Sequence, residues 1–363
     1  MMKVLFVCTV PTDKSGIPNV IFNLLNSFDS SRYEIGYISI NEPSDFYKEK
    51  LKKINSKLFI IPRKITSPLK YISKLAKVAK EYDIMHVHGN SATMVLEMIA
   101  AKIAGVNIRI AHSHNTTCKL KSIDTIARPL FYRLCNGRLA CGVEAGKWLF
   151  NKKDFKVINN GIDVNKFRYS ISDRKSIRTG LGIDKEYVIG HIGNFVDQKN
   201  HSFLIDIFQS LYRLKPNSIL LLLGDGPLKS SIQSKVRDLG LSANVIFAGS
   251  VNDPEKYMNA MDVVVMPSLF EGLPLTIIEE QANGLSIVVA DSITNDANLT
   301  GKVHYVSLCA PVYNWATIIQ SIIEHNTHNE ISSDKAISQI QKAGYDINMV
   351  VEDLKSYYNS FIK

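Results

Sequence analysis

Short apolar runs rich in β-branched residues alternate with stretches of helical composition along the first half of the sequence. A strand, a helix and a further strand in succession favour a parallel sheet with helices on both faces. The predicted strands are Lys3–Cys8, Tyr33–Ile40, Lys57–Ile61, Ile84–Val87, Ile108–Ala111 and Arg138–Cys141. The predicted helices are Pro18–Phe28, Pro68–Glu81, Ala92–Ala104 and Ile123–Leu134. The pattern therefore predicts an α/β fold with a doubly wound parallel sheet.

The alternation restarts in the second half, which indicates a second domain of the same kind. Its predicted strands are Val188–Ile192, Ser218–Leu223, Asn244–Phe247, Val263–Met266 and Ile287–Ala290, and its predicted helices are Ser202–Leu214, Leu228–Leu239 and Leu275–Asn283. A chain of 363 residues is long enough for two domains. We predict an N-terminal domain over 1–165, a C-terminal domain over 166–345 and a hinge in the polar stretch 167–184. The tail 346–363 has helical character, and packing on the N-terminal domain is one option for it.

The position of a ligand follows from this architecture. In open parallel sheets, ligands lie at the carboxyl ends of the strands, where loops lead into helix N-termini. Two such sheets predict a cleft between their carboxyl edges. The chemistry is therefore expected in loops that directly follow strands.

Charge is distributed unevenly between the two halves. Residues 1–165 carry 25 Lys and Arg against 13 Asp and Glu, whereas the remaining residues carry 18 against 21. A basic first half and a slightly acidic second half indicate different partners. An anionic membrane surface, a polyphosphate-bearing acceptor or a nucleic acid would each be attracted to the first half.

The compartment is indicated by what the sequence lacks. No apolar run approaches the roughly 18–20 residues that span a bilayer, and the apolar run after Lys3 has no small-residue cleavage site. The five cysteines are scattered and form no C-x-x-C pair, which argues against a zinc site or a disulfide framework. These features favour the cytoplasm, with peripheral contact at the inner face of the plasma membrane as an option.

The first candidate site is the segment Glu271–Glu279, which follows the predicted strand Val263–Met266. Pro274 suits the start of a helix, and Gly272 lets the backbone approach a ligand closely. The free N–H groups of such a helix start bind phosphates or sugar hydroxyls. One carboxylate can then meet a sugar while the other meets a ribose diol.

The second candidate is the loop after the strand Val188–Ile192, with the sequence Gly193-Asn194-Phe195-Val196-Asp197-Gln198-Lys199-Asn200. Glycine at this point permits close approach of the backbone to a ligand. Lys199 offers a point charge to a diphosphate. The loop therefore favours phosphate binding.

A third loop, Gly224-Asp225-Gly226-Pro227, also follows a strand. Its G-x-G spacing is compatible with a dinucleotide fingerprint, but Lys229 occupies the position of the third glycine and Pro227 is foreign to that motif. Nicotinamide binding is therefore disfavoured.

The first half offers a glycine loop and two pairs of histidines. Gly16, between the first strand and the first helix, can let a helix N-terminus face a phosphate or an acceptor, or can simply form a turn. His86 and His88 flank one strand end, and His112 and His114 flank another. Because no carboxylate is apparent as a third ligand, we predict no metal site. One of these histidines is a candidate general base or hydrogen-bond donor.

The segment Pro68–Lys80 is amphipathic and basic, with four lysines at i, i+4, i+7 and i+10. A solvated face of a helix packed on the sheet is the favoured interpretation, and a peripheral membrane contact is the alternative. The spacing of aromatic residues and arginines gives no stacking platform. Nucleic acid is therefore not predicted as a partner.

Together these motifs resemble family 4 of the retaining glycosyltransferases, the glycosyl transferases group 1 of bacterial exopolysaccharide and capsule biosynthesis, which have the GT-B fold of two Rossmann-like domains facing each other across a cleft. The matching positions are Glu271 and Glu279 for the E-x7-E signature, Gly193–Asn200 for the phosphate loop, Gly224–Pro227 for G-x-G-P, Asn160–Asp163 for N-G-x-D, Gly16 for the glycine loop, and His114 or His112 for the histidine after the fifth strand.

The resemblance implies a role for each matching residue. Glu271 would contact the donor sugar, Glu279 the ribose hydroxyls, and His114 the transferred sugar or the acceptor. The diphosphate would be held by Lys199 and by the backbone at Gly272 and Leu273. The other implied donor contacts are Gly193, Asn194, Gly224, Gly226 and Thr276. Asn194 stands where the family usually has an arginine, so another group would have to supply that charge.

The resemblance further implies a metal-independent transferase without cofactor. The expected partners are a nucleotide-sugar donor, UDP by family habit, and a saccharide or polyprenyl-diphosphate-linked acceptor. Two other functions are compatible with the same residues: a UDP-sugar 2-epimerase on this fold, and a non-catalytic nucleotide-sugar-binding module.

Overall fold

The computed structural model describes residues 1–13, 16–29, 31–118, 120–325 and 328–362. The chain forms two compact units, the first made of Met1–Gly161 with Gly344–Lys363 and the second of Ile162–Ala343. Each unit has its own parallel sheet and its own apolar core. The doubly wound α/β fold predicted from the alternation is confirmed in both.

Unit 1 contains a seven-stranded parallel sheet with the order β3-β2-β1-β4-β5-β6-β7. The strands are β1 (Met2–Cys8), β2 (Tyr33–Ser39), β3 (Lys57–Ile60), β4 (Ile84–Gly89), β5 (Ile108–Ser113), β6 (Gly137–Ala140) and β7 (Lys156–Val157). The helices are α1 (Gly16–Asn26), α2 (Asp45–Lys53), α3 (Pro68–Ala79), α4 (Val95–Ile103), α5 (Lys121–Leu134) and α6 (Val143–Phe150). A short 3-10 turn, Ala92–Met94, precedes α4.

Burial explains why these segments form these elements. Val4–Cys8 of β1 are fully buried, because a central parallel strand is covered by helices on both faces. Helix α3 buries Tyr71, Leu75 and Ala79 at helical spacing and exposes its lysines. The packing of α3 on α4, and of α4 on α5, extends this helical layer across one face of the sheet.

Unit 2 contains a six-stranded parallel sheet with the order β10-β9-β8-β11-β12-β13. The strands are β8 (Tyr187–Ile192), β9 (Ser218–Leu223), β10 (Val245–Gly249), β11 (Val263–Met266), β12 (Ser286–Ala290) and β13 (Val303–Val306). The helices are α7 (Ile171–Leu181), α8 (His201–Leu214), α9 (Lys229–Asp238), α10 (Pro254–Ala260), α11 (Leu275–Ala282), α12 (Val312–Glu324) and α13 (Glu330–Lys342).

Each sheet reverses its strand order once. In unit 1 the reversal lies between β1 and β4, and in unit 2 between β8 and β11. Loops that leave such neighbouring strands diverge to opposite sides and open a crevice at the carboxyl edge of the sheet. The crevice of unit 2 is therefore flanked by the loops that follow β8 and β11.

The predicted hinge at 167–184 is wrong, because most of this stretch forms α7. Ser170 caps the helix by accepting a hydrogen bond from the backbone N–H of Asp173, and Gly182 ends it with φ of +70°. Arg174 forms a 2.6 Å ion pair with Asp262. The serine, arginine and glycine of this stretch are thus a cap, a tertiary anchor and a helix stop rather than linker residues.

The chain returns to unit 1 at its end. Helix α14 (Ile347–Asn359) belongs to this unit, and its Tyr358 hydroxyl lies 2.7 Å from Nδ1 of His86. The hydroxyl of the neighbouring Tyr357 accepts a 2.8 Å hydrogen bond from the backbone N–H of Arg138. None of the helices among the described residues has the length and apolar content needed to cross a bilayer.

Candidate functional site

The turn that follows β8 and the loop that follows β11 are joined to each other in unit 2. Asp197–Lys199 form a 3-10 turn that ends at Asn200 with φ of +54°, just before α8 begins. The backbone N–H of Leu269 donates a 2.8 Å hydrogen bond to the carbonyl of Gln198. This contact fixes the two segments side by side at the strand-order reversal.

Lys199 and Glu271 meet across this contact. Nζ of Lys199 lies 2.7 Å from Oε1 of Glu271, and both side chains are largely buried. Nε2 of Gln198 donates to Oε2 of the same carboxylate at 3.1 Å and to the carbonyl of Phe270 at 3.0 Å. A cation and a carboxylate, each in a loop after a strand, are therefore brought to one point. Gln198 directly precedes Lys199 in the loop after β8, yet its role as the anchor of Glu271 was not predicted.

The glycines of this region pack the backbone of one loop against that of another. Gly224 has φ of +139°, and a Cβ at this position would lie 2.0 Å from the carbonyl oxygen of Gly193. Gly226 has φ of +156°, and its Cβ would lie 2.7 Å from the carbonyl oxygen of Phe195. The N–H of Phe195 donates in turn to the carbonyl of Asp225 at 2.9 Å. The glycines after β9 thus let its loop support the loop after β8.

Helix α11 begins where the sequence indicates, one residue beyond Pro274. Pro274 is the N-cap, Gly272 is exposed, and Leu273 and Thr276 are partly exposed. The first N–H groups of a helix have no partner within it, so they are available to an anion or a hydroxyl. Asn194, by contrast, is exposed and carries no charge to offer.

Glu279 and Glu280 follow on α11 in a strongly desolvated environment. Burial raises the pKa of Glu279 to about 7, with Lys166 lowering it and Glu255 raising it in part. The carboxyl of Glu280 is completely buried, and neither of its oxygens has a hydrogen-bond partner among the described residues. Burial and the neighbouring Glu279 hold the pKa of Glu280 well above its usual range. Glu280 is therefore a completely buried carboxyl group beside the candidate site, which nothing in the motif indicated.

Two histidines, also unpredicted, lie behind Lys199. His191 on β8 is buried and its Nδ1 lies 2.8 Å from the carbonyl of Val265. His201 opens α8 and stacks on Phe195. Burial holds the pKa of His191 well below its usual range and lowers that of His201 to about 4, with Lys199 adding to both shifts. Both rings are neutral at physiological pH, which leaves Lys199 as the positive group of this cluster.

The four histidines of unit 1 form a ladder on one face of its sheet. Nε2 of His86 lies 3.2 Å from Nδ1 of His112, and Nδ1 of His88 lies 2.8 Å from Nε2 of His114. Burial holds the pKa values of His86, His88 and His112 well below the usual range and lowers that of His114 to about 4. The rings are neutral and hydrogen-bonded to one another.

A metal ion fits part of this ladder by spacing alone. Among the described residues, His86, His88 and His112 have one ring nitrogen each within 4.8 Å of the others. Both nitrogens of His86, however, are already engaged, one by Tyr358 and one by His112. Binding a divalent ion there would break these hydrogen bonds and bury two charges without an anion, which is costly. Metal independence stays a prediction.

Gly16 lies in unit 1 at the first position of α1, where it is exposed and where an added Cβ would meet nothing within 4 Å. Lys14 and Ser15 of the predicted glycine loop lie outside the described residues. The structure therefore places Gly16 and His114 in unit 1, and Lys199, Glu271 and Glu279 in unit 2.

The family of the chain follows from its similarity to known proteins. Residues 173–342 match the family described as glycosyl transferases group 1. The chain is 30% identical over 366 residues to the Bacillus subtilis protein EpsF, a glycosyltransferase by name, with 96% of this chain and 94% of EpsF covered. The chain belongs to the glycosyl transferases group 1 family, and it is a glycosyltransferase.

Other relatives are more distant. The chain is 27% identical to the Escherichia coli enzyme named UDP-Gal:alpha-D-GlcNAc-diphosphoundecaprenol alpha-1,3-galactosyltransferase, over 80% of this chain and 79% of that enzyme. A Staphylococcus aureus protein named as a capsular polysaccharide biosynthesis glycosyltransferase, CapH, is 24% identical over 82% of each chain.

Solved structures confirm the GT-B fold. HepE of Anabaena, crystallised with UDP-glucose, superposes with a TM-score of 0.81 at 21% identity and covers 99% of this chain and 100% of its own. WaaG, described as a glycosyltransferase of lipopolysaccharide biosynthesis, superposes with a TM-score of 0.68 at 13% identity.

Proposed function

We propose that the protein is a retaining glycosyltransferase that moves a sugar from a UDP-sugar to a saccharide or polyprenyl-diphosphate-linked acceptor in polysaccharide biosynthesis. The observation that carries this proposal is the Lys199–Glu271 pair at the strand-order reversal of unit 2. The donor class is supported by HepE, whose crystals contain UDP-glucose. The acceptor class is supported by the name of the Escherichia coli galactosyltransferase.

The leaving group determines what the site must do. A nucleotide sugar is a glycosyl group on a diphosphate, so the site must stabilise the negative charge that develops on departure. Lys199 is the positive group of the cluster, and the first N–H groups of α11 add the partial charge of a helix N-terminus. These groups replace the usual arginine, where this chain has the uncharged Asn194.

The carboxylates are assigned to the hydroxyl groups of the donor. Glu271, held by Gln198, would accept hydrogen bonds from the transferred sugar. Glu279 on α11 would accept hydrogen bonds from the two hydroxyl groups of the ribose. His114 of unit 1, neutral because of burial, is assigned to the transferred sugar or the acceptor, and Gly16 to the acceptor or its phosphate.

In the proposed reaction, the bond between the anomeric carbon and the diphosphate oxygen breaks as the acceptor hydroxyl approaches from the same face. The new bond joins the acceptor oxygen to the anomeric carbon. The hydroxyl proton passes to an oxygen of the departing diphosphate, so no protein base is required. The configuration of the sugar is retained, and neither a metal nor a cofactor takes part. We place the reaction in the cytoplasm, with a lipid-linked acceptor at the inner face of the plasma membrane.

The proposal is tested first by donor binding. A ligand that binds only the folded protein raises its melting temperature, so UDP-, GDP- and ADP-sugars can be compared by thermal stabilisation. We expect UDP-sugars to stabilise the protein and the Lys199→Met variant to lose most of this effect. Stabilisation by GDP- or ADP-sugars alone would show that the donor assignment is wrong.

The second test is turnover. With a suitable saccharide or lipid-linked acceptor, the product is expected to carry the sugar in its original anomeric configuration, read by NMR of the new linkage. Conversion of the UDP-sugar without any acceptor would instead indicate an epimerase.

A further inference from the structure

The basic charge of this protein is concentrated in one helical layer of unit 1. We define the basic layer as residues 61–80, 92–104 and 119–134, which contain α3, α4 and α5. These segments carry eleven Lys and Arg against two acids, a net charge of +9 that equals the charge of the whole chain. The remainder of the protein is therefore neutral on balance.

The two acids of the basic layer do not reach its surface. Glu97 is completely buried and lies 2.9 Å from Nζ of Lys64. Asp124 is buried and lies 2.8 Å from Nε of Arg128. Eight further cations are exposed in the described part of the layer, namely Arg63, Lys70, Lys74, Lys77, Lys80, Lys102, Lys121 and Arg133. Every charged side chain that is exposed within the described part of these segments is thus a cation, and the nearest exposed acids, Glu81 and Asp83, follow the end of α3.

An apolar stripe runs along the same layer. We define it as Leu120, just before α5, with Ile123, Ile126 and Leu130, which follow one another at helical spacings of three and four residues. Their exposed fractions are 46%, 54%, 80% and 46%. Single exposed apolar side chains are ordinary, but three on one side of a helix, with a fourth directly before it, mark a contact surface.

Two further large apolar side chains lie on the other side of the start of α4. Ile65 and Leu69 are 81% and 82% exposed. Lys64, next to Ile65, donates to the carbonyl of Thr93 at 3.2 Å. The backbone N–H of Ala92 donates to Asp124, next to Ile123, at 2.7 Å. The 3-10 turn before α4 therefore has exposed apolar groups on both flanks.

This surface lies at the functional end of unit 1. The segment with Ile65 follows β3, and the stripe follows β5, so both begin at the carboxyl edge of the sheet. The loops with Gly16 and His114 follow β1 and β5 and leave from the same edge. A partner bound by the apolar groups would be held beside these loops.

We propose that the basic layer and its apolar stripe bind the surface of an anionic lipid bilayer. A helix with apolar side chains on one side and cations around them lies in the headgroup region, with its apolar groups at the acyl boundary. Anionic headgroups attract the surrounding lysines and arginines. This moves the predicted membrane contact from the lysines of α3 alone to a surface centred on α5. The inference stands on charge and exposure, so it does not depend on the identity of the donor.

Other partners fit the surface less well. A nucleic acid would use the cations, but aliphatic isoleucine and leucine side chains offer its bases no stacking. A second copy of this chain would cover the stripe, but it would also bring eight exposed cations against eight others. A bilayer satisfies the apolar and the positive groups together.

The test is co-sedimentation with vesicles, which requires no catalysis. We expect the full-length protein to bind vesicles of phosphatidylglycerol and phosphatidylcholine but not of phosphatidylcholine alone, and the binding to weaken as salt is raised. Ile126→Ser is expected to weaken binding up to about tenfold. Ile331→Ser is the matched control, since Ile331 is also 80% exposed but lies in unit 2.

The charge is tested separately, so that the proposal does not rest on one variant. Lys70→Gln with Lys74→Gln is expected to weaken vesicle binding roughly tenfold at low salt. The control is Lys175→Gln with Lys335→Gln, two exposed lysines of unit 2. The melting temperature of each variant is measured to verify that it is folded.

Several results would overturn the proposal. These are absence of sedimentation, equal binding to neutral vesicles, or equal effects of the test and control changes. A dimer that Ile126→Ser converts to a monomer would assign the stripe to a second copy. Binding to an RNA oligonucleotide that the lysine changes weaken, with vesicle binding unaltered, would assign the layer to nucleic acid. Because UDP-sugar binding is read separately by thermal stabilisation, failure here leaves the proposed function untouched.

Discussion

The ammonium group of Lys199 lies 2.7 Å from the carboxylate of Glu271, so two side chains assigned to the donor are paired with each other. A diphosphate would compete with Glu271 for the same positive charge. Glu271 would remain held by the amide of Gln198 after this exchange. The pair therefore keeps both side chains in place before the donor arrives. While it is paired, Lys199 attracts an anion less strongly.

Loss of Glu271 should separate binding of the nucleotide from transfer of the sugar. In Glu271→Gln, Lys199 no longer has its carboxylate partner. We therefore expect the affinity for UDP alone to rise by at least about two- to fivefold, because the pair is largely buried and the diphosphate no longer competes with Glu271 for the ammonium group. Sugar transfer should fall by about 100-fold or more, because a neutral amide replaces the carboxylate that accepts hydrogen bonds from the sugar. Calorimetry with UDP and an assay of transfer measure the two effects.

Loss of Lys199 should instead weaken both the binding of UDP and the transfer of the sugar. In Lys199→Met, UDP binding and transfer are expected to fall together, transfer by about 100-fold or more. The matched control is Lys235→Met, because Lys235 forms a 2.7 Å ion pair with Asp206 in the same unit. Equal losses in the two variants would show that the effect is not specific to the candidate site.

Donor binding should depend on pH through Glu279. Burial raises the pKa of this carboxyl to about 7, and only the ionised form accepts hydrogen bonds on both oxygens. The ionised fraction rises about tenfold between about pH 6 and 8, so the apparent affinity for a UDP-sugar should rise by up to that factor. Calorimetry over this range measures the affinity for the UDP-sugar at each pH. The Glu279→Gln variant should lose the pH dependence.

The same group should affect stability with a defined sign. Its folded pKa lies above the ordinary value of 4.5, so the folded state binds the proton more tightly. The contribution of Glu279 to the free energy of unfolding therefore falls as pH rises from about 4.5 to 7 and stays constant above that. The stability difference between Glu279→Gln and the wild type should grow over that interval, and a constant difference would contradict the assignment.

Gly224 should be intolerant of a side chain. Its Cβ would lie 2.0 Å from the carbonyl oxygen of Gly193 at φ of +139°, so Gly224→Ala should lower the free energy of unfolding by about 2–4 kcal/mol. Gly240 also has positive φ, at +69°, but a Cβ there meets nothing within 4 Å. Gly240→Ala should cost about 1 kcal/mol. Urea unfolding measures the free energy of unfolding of both variants. Equal losses would show that the contact with Gly193 does not determine the effect at Gly224.

The histidine ladder of unit 1 should make the protein sensitive to acid. The pKa values of His86, His88 and His112 are well below the usual range because of burial, so the unfolded state takes up protons first as pH falls below about 6.5. The free energy of unfolding should decrease from there downward. Thermal unfolding between pH 7.5 and 5 measures it. His88→Asn, whose amide does not titrate, should show a weaker dependence even if it is less stable throughout.

The alternation of strands and helices was sufficient to predict the sheets, because a buried parallel strand has a distinctive run of β-branched residues. Val263–Met266 is such a run, and its bounds agree with the structure. Helix α7 was missed, because its core contact is made by the arginines Arg174 and Arg178 through Asp262 and not by an apolar stripe. The presence of a charged residue in a sequence does not predict which distant residue it will form an ion pair with.

The candidate site, like the fold, could be predicted only in part. Lys199 and Glu271 could be placed in loops after strands, since each loop has its own local signature. That their strands are neighbours depends on strand order, which is not a local property of the sequence. Glu280 could not be predicted, because a glutamate on a helix is ordinarily solvated and only tertiary packing buries it here.

Helix α14 has a consequence for how the protein is made. The residues that complete unit 1 are synthesised after all 182 residues of unit 2, which at ordinary translation rates takes about 10–35 s. During this interval His86 lacks the tyrosine hydroxyl that it contacts in the finished molecule. The unit that begins first on the ribosome is therefore the last to be finished, and a nascent chain stalled before residue 344 would carry an incomplete first unit.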